Sequence, residues 1–142
     1  KYTKLYKSLK TVLPDLDKMK VGFHARSGKY GDAIMPLSVE VQYLHDSEDI
    51  LNVEGGGYKL IMEHNYIQQG DLITDPRIDF AIYPSIKAAV PLNFEMNMMG
   101  VYQVFVEKKK FLGCPLFKHS HEQGLLLCYL LPHLLEGWIN DV

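Results

Sequence analysis

The first candidate for chemistry is a histidine that precedes three carboxylates along the chain. His64 is followed by Asp71, Asp75 and Asp79. A histidine beside carboxylates can act as a general base or hold a metal ion. Asp71 and Asp75 also suit turns, because an aspartate side chain can hydrogen-bond its own backbone. A histidine on an apolar strand face is more often a hydrogen-bonded core residue, so a structural role is favoured and a metal-dependent enzyme is the alternative.

A second candidate is a group of cysteines and histidines near the carboxyl end. Cys114, His119, His121 and Cys128 have the spacing C-x4-H-x-H-x6-C. Zinc takes four nitrogen or sulfur ligands in a tetrahedron. Cys128, however, lies among leucines in a predicted helix, where a free cysteine is commonly buried. The group matches no recognised zinc motif, so no cofactor is predicted. Cys114, His119 and His121 remain metal candidates because their side chains are of the types that bind zinc.

The motifs of several large enzyme classes are absent from the sequence. There is no G-x-S-x-G elbow, no Walker loop and no complete dinucleotide-binding fingerprint. The sequence therefore leans away from an enzyme and leaves that question open.

Lysines recur every three residues at the start of the chain, as Lys1, Lys4, Lys7 and Lys10. The favoured interpretation is the solvated side of an amphipathic helix, and a surface that contacts nucleic-acid phosphates is the alternative. Residues 1–30 carry eight basic and two acidic side chains, whereas residues 38–100 carry three basic and ten acidic ones. The whole chain has a net charge of −2, which argues against strong general binding to nucleic acid.

Hydrophobic periodicity predicts the elements that must position these residues. Helical spacing predicts a helix over residues 1–13, ended by Pro14. Alternation of apolar and polar residues predicts strands at 36–44, 58–67 and 77–83. The β-branched and aromatic residues of 101–107 predict a further strand. In the strand at 36–44, Leu37, Val39, Val41 and Tyr43 are predicted to face inward.

The connecting segments are predicted from turn-forming and helix-breaking residues. Gln68–Pro76 is predicted to be a long hairpin loop, and Ser85–Leu92 is predicted to be a loop between prolines. Ile50–Val53 is a candidate short strand, and the residues from Lys108 onward are predicted to form a loop. A capping box at Ser120–Gln123 predicts a helix that runs to about Asn140.

These elements predict one α+β domain over residues 1–142. We expect an antiparallel sheet of about five or six strands, meander-like, with the N-terminal and C-terminal helices packed on one face. The last helix is apolar nearly all round, so Leu131, Leu135 and Trp138 are expected to form an interaction surface, with a homodimer as one form. Two cysteines and the lack of a membrane-spanning apolar run favour the cytoplasm.

Several short motifs occur in a specific order along the chain. They include Met35-Pro36-Leu37, a strand with His64 and Tyr66, Gln69-Gly70-Asp71-Leu72 with Asp75-Pro76, Gly100-Val101-Tyr102-Gln103, and Trp138. In this order the sequence, over roughly residues 35–140, resembles a family of small bacterial, plasmid and phage proteins that carries a domain-of-unknown-function label. The resemblance implies an accessory role of the mobile-element type and implies no activity.

The function expected from the sequence is therefore binding to another protein or to a second copy, without catalysis and without a membrane. Lys4, Lys7, Lys10 and the apolar last helix are the expected interaction residues. There are two alternatives. One is a metal-dependent enzyme centred on His64 and the loop with Asp71 and Asp75, and the other is a weak nucleic-acid binder that uses the lysine stripe.

Overall fold

A computed structural model describes residues 2–26, 37–96 and 101–112 of the chain. The described residues form one α-helix, α1 (Tyr2–Val12), and eight β-strands. The strands are β1 (His24–Arg26), β2 (Leu37–Tyr43), β3 (Tyr58–Gln68), β4 (Asp71–Tyr83), β5 (Ala88–Met96), β6 (Val101–Val104), β7 (Val106–Glu107) and β8 (Lys110–Phe111). Short 3₁₀ turns lie at Leu16–Lys18, Asp46–Glu48 and Pro84–Ile86.

Strands β1 to β6 form one antiparallel sheet in which every neighbour along the chain is also a neighbour in space. The strands β7 and β8 pair separately as a small hairpin. The predicted α+β class, the meander and the strand number are confirmed. The predicted C-terminal helix lies outside the described residues.

Helix α1 covers the first face of the sheet. Its apolar side holds Leu5, Tyr6 and Leu9, which are buried against alternate residues of the strands. The strand residues in this core include Val39, Val41, Leu60, Met62, Ile78, Phe80, Ile82 and Phe94. The Tyr58 hydroxyl, also in this layer, donates a hydrogen bond to the Leu16 carbonyl and so ties the turn after α1 to β3. The predicted amphipathic helix is confirmed.

The second face of the sheet has its own apolar core at one end. Its buried members are Ala81, Tyr83, Ala88, Val90, Leu92 and Val106. Partly buried residues of the β2–β3 connection pack over them, namely Leu44, Ile50, Leu51 and Val53. Strand β4 is therefore buried on both of its faces over this part, whereas a single buried face was expected from its alternation. The segment Ile50–Val53 covers the sheet as irregular chain, so the prediction of a short strand there is wrong.

The predicted long loop between β3 and β4 is wrong. The turn consists of Gln69 and Gly70, whose φ angles are 53° and 83°. Two successive positive φ angles are the signature of a tight hairpin turn whose twist matches that of the strands. Asp75 and Pro76 belong to β4, where the register shifts opposite His64. A bulge of this kind accommodates a proline, which cannot donate to the ladder.

The predicted loop over Ser85–Leu92 is also wrong, because most of it forms β5. The turn Pro84–Ile86 ends at Lys87, which has a φ of 51°, and the strand starts at the next residue. Pro91 is tolerated inside β5 because the register shifts beside it. Phe80 pairs with Pro91 and Asp79 pairs with Asn93, so the residue between them has no direct partner.

Two further expectations differ from the structure at strand ends. Tyr43, expected to face inward, is 81% exposed and is the last residue of β2. Lys108 and Lys109, expected in a longer loop, form the two-residue turn between β7 and β8, with φ angles of 51° and 61°.

Candidate interaction surface

Polar side chains cross the second face of the sheet in two adjacent rows. In the pairing register, Arg77 of β4 lies between Glu63 of β3 and Glu95 of β5. In the next row on the same face, Asp79 lies between Ile61 and Asn93. Because alternate residues of a strand share a face, Arg77 and Asp79 point to the same side, away from α1. The two rows therefore place three carboxylates around one guanidinium.

Asp79 is a buried carboxylate, only 1% exposed, whose oxygens have several donors. Arg77 donates from Nε to Oδ1 at 2.9 Å and from Nη2 to Oδ2 at 3.0 Å. Asn93 Nδ2 donates to Oδ2 at 3.2 Å, and Lys59 Nζ lies 3.7 Å from the same oxygen. A buried charge is costly unless it is paired and hydrogen-bonded. Arg77, Asn93 and Lys59 together meet that requirement for Asp79.

The same network reaches the loop that covers the second face. Lys59 Nζ lies 3.2 Å from Oε2 of Glu48, a residue of the 3₁₀ turn in the β2–β3 connection. The hydroxyl of Tyr83 donates to Asp49 Oδ1 at 2.7 Å. The ion pair between Lys59 and Glu48 and the hydrogen bond between Tyr83 and Asp49 therefore hold the β2–β3 connection on the sheet.

Two groups in this region have shifted proton affinities. The hydrogen bonds to Asp79 raise the pKa of Arg77, partly offset by burial of the guanidinium. Burial raises the pKa of the Tyr83 hydroxyl, and its hydrogen bond to Asp49 adds to the shift. Arg77 thus stays charged and Tyr83 neutral under ordinary conditions, so neither is poised to exchange a proton near neutral pH.

The network opens to solvent at its β6 end. Tyr102 is 65% exposed and pairs in register with Glu95, while Val104 is 38% exposed and pairs with Asn93. Glu63 and Glu95 are half-buried, and both attract the Arg77 guanidinium that lies between them, although no close ion pair or hydrogen bond joins either glutamate to another described residue. We call the group Glu63, Arg77, Glu95, Tyr102 and Val104 the β6 surface. Its two carboxylates flank a guanidinium that is already hydrogen-bonded to Asp79, and an exposed aromatic ring lies beside them, so the β6 surface is suited to bind a further cationic group.

The histidine and the carboxylates singled out in the sequence are not brought together as one site. His64 is buried and lies on the face that α1 covers, whereas Asp79 points to the opposite face. Asp71 is exposed next to the hairpin turn, where it pairs with Gln68. Gln68 lies four residues from His64 along β3, so the backbones of Asp71 and His64 are separated by about 13 Å along the strand direction. Asp75 is opposite His64 in the bulged part of β4, where its side chain is not described. Among the described residues no group of histidines, cysteines and carboxylates could hold a metal ion.

The other predicted site residues fall into two groups. Lys4, Lys7 and Lys10 are exposed on α1, and Lys10 Nζ lies 3.5 Å from Asp17 Oδ1. The remaining candidates lie outside the described residues, and these are Cys114, His119, His121, Leu131, Leu135 and Trp138. No helix in the described part of the chain is long and apolar enough to cross a membrane.

Comparison with known proteins gives a match to a family model. The model describes a domain of unknown function, DUF6908, and it matches residues 7–124, most of the chain. The chain belongs to this family. The match begins within α1 and includes every strand of the sheet, so the DUF6908 domain contains the whole β6 surface. Membership confirms the resemblance to a domain-of-unknown-function family. No curated protein and no solved structure matches the chain.

Proposed function

We propose that this DUF6908 protein acts without catalysis by binding another protein chain at the β6 surface. The observation that carries the proposal is the pair Tyr102 and Val104, two exposed apolar side chains on the same side of one short strand. Single exposed apolar residues are ordinary on a protein surface. Adjacent ones, with an aromatic ring and a charged border, have the composition of a docking surface.

The buried network beneath the surface supports the same proposal. Arg77 is held by two hydrogen bonds to Asp79, and Asp79 is itself held by Asn93. A side chain that is already fixed loses little rotational freedom when a partner binds, so the entropic cost of association is smaller. Asp79 is fully engaged as a hydrogen-bond acceptor, which favours a supporting role over a role as a general base.

Three finer parts of the proposal rest on the sequence. A cytoplasmic location is supported by the two cysteines of the chain. An accessory role of the mobile-element type is supported by the motif resemblance. A leucine-rich helix at residues 120–140, packed on the sheet, is supported by its capping box and its apolar sequence.

Site-specific photo-crosslinking tests the docking surface directly. A photoreactive phenylalanine analogue replaces Tyr102 in one version of the full chain and Tyr43 in another. Tyr43 is an exposed tyrosine on a different strand and serves as the matched control. The proposal predicts a discrete protein adduct from position 102, identified by mass spectrometry, and none from position 43. Equal adducts from both positions, or none from position 102, would refute it.

A further inference from the structure

We propose that the partner at the β6 surface is helix α1 of a second copy of this chain. This inference rests on the proposed function, because it names the occupant of the same surface. Its basis is charge complementarity between two surfaces that one chain carries: a cationic stripe on α1 and the carboxylates of the β6 surface.

The cationic half is the outward side of α1. Lys4 and Lys7 lie about one turn apart, where side chains are neighbours with about 5–6 Å between their β-carbons. Both are exposed, and neither forms an ion pair with another described residue. Leu5 and Leu9 are buried against the sheet, so the two lysines project away from their own domain. The stripe is therefore available to another molecule.

The anionic half is the row that crosses the second face. Glu63 and Glu95 are separated by β4, so their backbones are two strand spacings, about 10 Å, apart. Arg77 between them is already committed to Asp79 by two hydrogen bonds. Each glutamate can therefore accept a lysine from outside. Two flexible lysine stems that leave one helix about a turn apart can spread to reach both carboxylates.

Tyr102 adds a second attraction for one of these lysines. Tyr102 pairs in register with Glu95, and residues directly opposite in an antiparallel pair have β-carbons about 5 Å apart. An ammonium group that binds Glu95 therefore lies close to an exposed aromatic ring, and a cation is attracted to the face of such a ring. Val104, the next outward residue of β6, offers apolar contact to the lysine stem.

The placement of the two halves determines the kind of assembly. Helix α1 covers the first face of the sheet, and the β6 surface lies on the second face. A chain that uses α1 on one neighbour and the β6 surface on another associates head to tail, and such a contact does not close into a two-fold dimer. Exposed ion pairs are individually weak and are screened by salt. The assembly is therefore expected to grow with concentration and to dissociate in salt.

Sedimentation equilibrium of the full chain tests this inference. At about 20 mM NaCl the mean mass is expected to rise above 16.3 kDa as concentration increases, and at about 500 mM NaCl it is expected to return to 16.3 kDa. A mass of 16.3 kDa at every concentration in low salt would overturn the inference. A self-association that salt leaves unchanged would overturn it as well.

Charge reversal identifies the two surfaces. Lys4→Glu with Lys7→Glu is expected to abolish association, and so is Glu63→Lys with Glu95→Lys. A mixture of these two variants restores the complementary pair and is expected to associate again. Lys18→Glu with Lys20→Glu reverses two exposed lysines outside α1 and should leave association unchanged. If the mixture stays monomeric, the proposed pairing is wrong.

Two further measurements are needed. One distinguishes loss of association from loss of folding, and the other distinguishes self-association from binding of a different protein. Circular dichroism checks that each variant is folded, and Glu63→Gln with Glu95→Gln provides a milder variant that should still weaken association about tenfold. A photo-crosslink from position 102 to a different protein would support the β6 surface as a docking site and overturn self-association. A crosslink to α1 of a second copy would support both.

Discussion

Arg77 holds Asp79, two residues further along the same strand, through hydrogen bonds of 2.9 and 3.0 Å that use two nitrogens of its guanidinium. Neighbours two apart on a strand share a face, so this contact needs no other element to bring the pair together. Strands β3 and β5 supply the rest of the network, through Lys59 and Asn93. The pair thus marks the place where the second face changes from an apolar core to a polar surface.

Removing the arginine from this pair should destabilise the fold. Arg77→Leu is expected to lower the free energy of unfolding by about 3 kcal/mol, because a buried carboxylate loses its main partner. The value is at the low end for buried pairs, since about a third of the Arg77 side chain stays in water. Chemical denaturation measures it, with Arg26→Leu, an exposed arginine on β1, as the control. Equal losses for the two variants would contradict a structural role for the pair.

The tyrosine that anchors the β2–β3 connection gives a prediction for stability at neutral pH. Tyr83→Phe removes the hydrogen bond to Asp49 and is expected to lower the free energy of unfolding by about 1 kcal/mol at neutral pH. Tyr43→Phe, an exposed position, should change it little. A larger effect at Tyr43 than at Tyr83 in thermal unfolding would be inconsistent with the structure.

Stability should fall in alkali, and the buried tyrosines are the cause. Burial raises the pKa of Tyr58 and Tyr83 above the ordinary value of 10.0. Above pH 10 the unfolded chain loses protons that the folded chain retains, so the free energy of unfolding falls as pH rises from that point. Below pH 10 these hydroxyls contribute no slope. The decline should be shallower in Tyr83→Phe, and an unchanged slope would rule out Tyr83 as a contributor.

The tight turn between β3 and β4 predicts a stabilising substitution. Gln69 adopts a φ of 53°, which strains most side chains but suits asparagine. Gln69→Asn creates the Asn-Gly pair that two-residue hairpins of this twist prefer, and it should raise the free energy of unfolding by about 0.5 kcal/mol. The same change at Gln42, which lies within β2, should be neutral or destabilising. The midpoint of urea unfolding reports both.

Substitution of Gly57 is expected to lower the free energy of unfolding for a steric reason. A β-carbon at this position would lie 2.7 Å from the carbonyl oxygen of Ile82 and 2.9 Å from the ring of Tyr83. Gly57→Ala is expected to destabilise the fold by about 2 kcal/mol, because the connection must shift off the sheet. Chemical denaturation measures the loss. An unchanged free energy of unfolding in Gly57→Ala would argue against the close approach at Gly57.

Much of the fold could be predicted from local sequence patterns. The spacing of Leu5, Tyr6 and Leu9 predicted α1, and the alternation of Leu60 and Met62 predicted a strand with one buried face. These signals are local, because one element decides which of its residues meet the core. The errors lie where tertiary pairing overrides a local signal. Pro91 reads as a loop residue, yet a register shift beside it lets β5 continue through it.

The candidate surface was harder to predict because it combines four strands. The alternation of β4 places Asp79 on the polar side of its strand, yet the structure buries it. Its partners Lys59 and Asn93 come from β3 and β5, and no pattern within β4 predicts them. The one local signal is the Arg-x-Asp spacing at Arg77 and Asp79, which places opposite charges on one face of a strand. Tyr102 carried no signal of its own, since an exposed tyrosine in a β-rich segment has the same sequence pattern as a buried one.

Native mass spectrometry of untagged full-length protein, purified without chelator, tests the central claim most directly, because it reports subunit number and bound metal together. A protein that binds a second copy of itself at the β6 surface is predicted to give metal-free assemblies at low ionic strength. Those assemblies should be lost in Tyr102→Ser and kept in Tyr43→Ser. A monomer that carries one metal ion, unchanged by either substitution, would contradict the account and return attention to His64, His119 and His121.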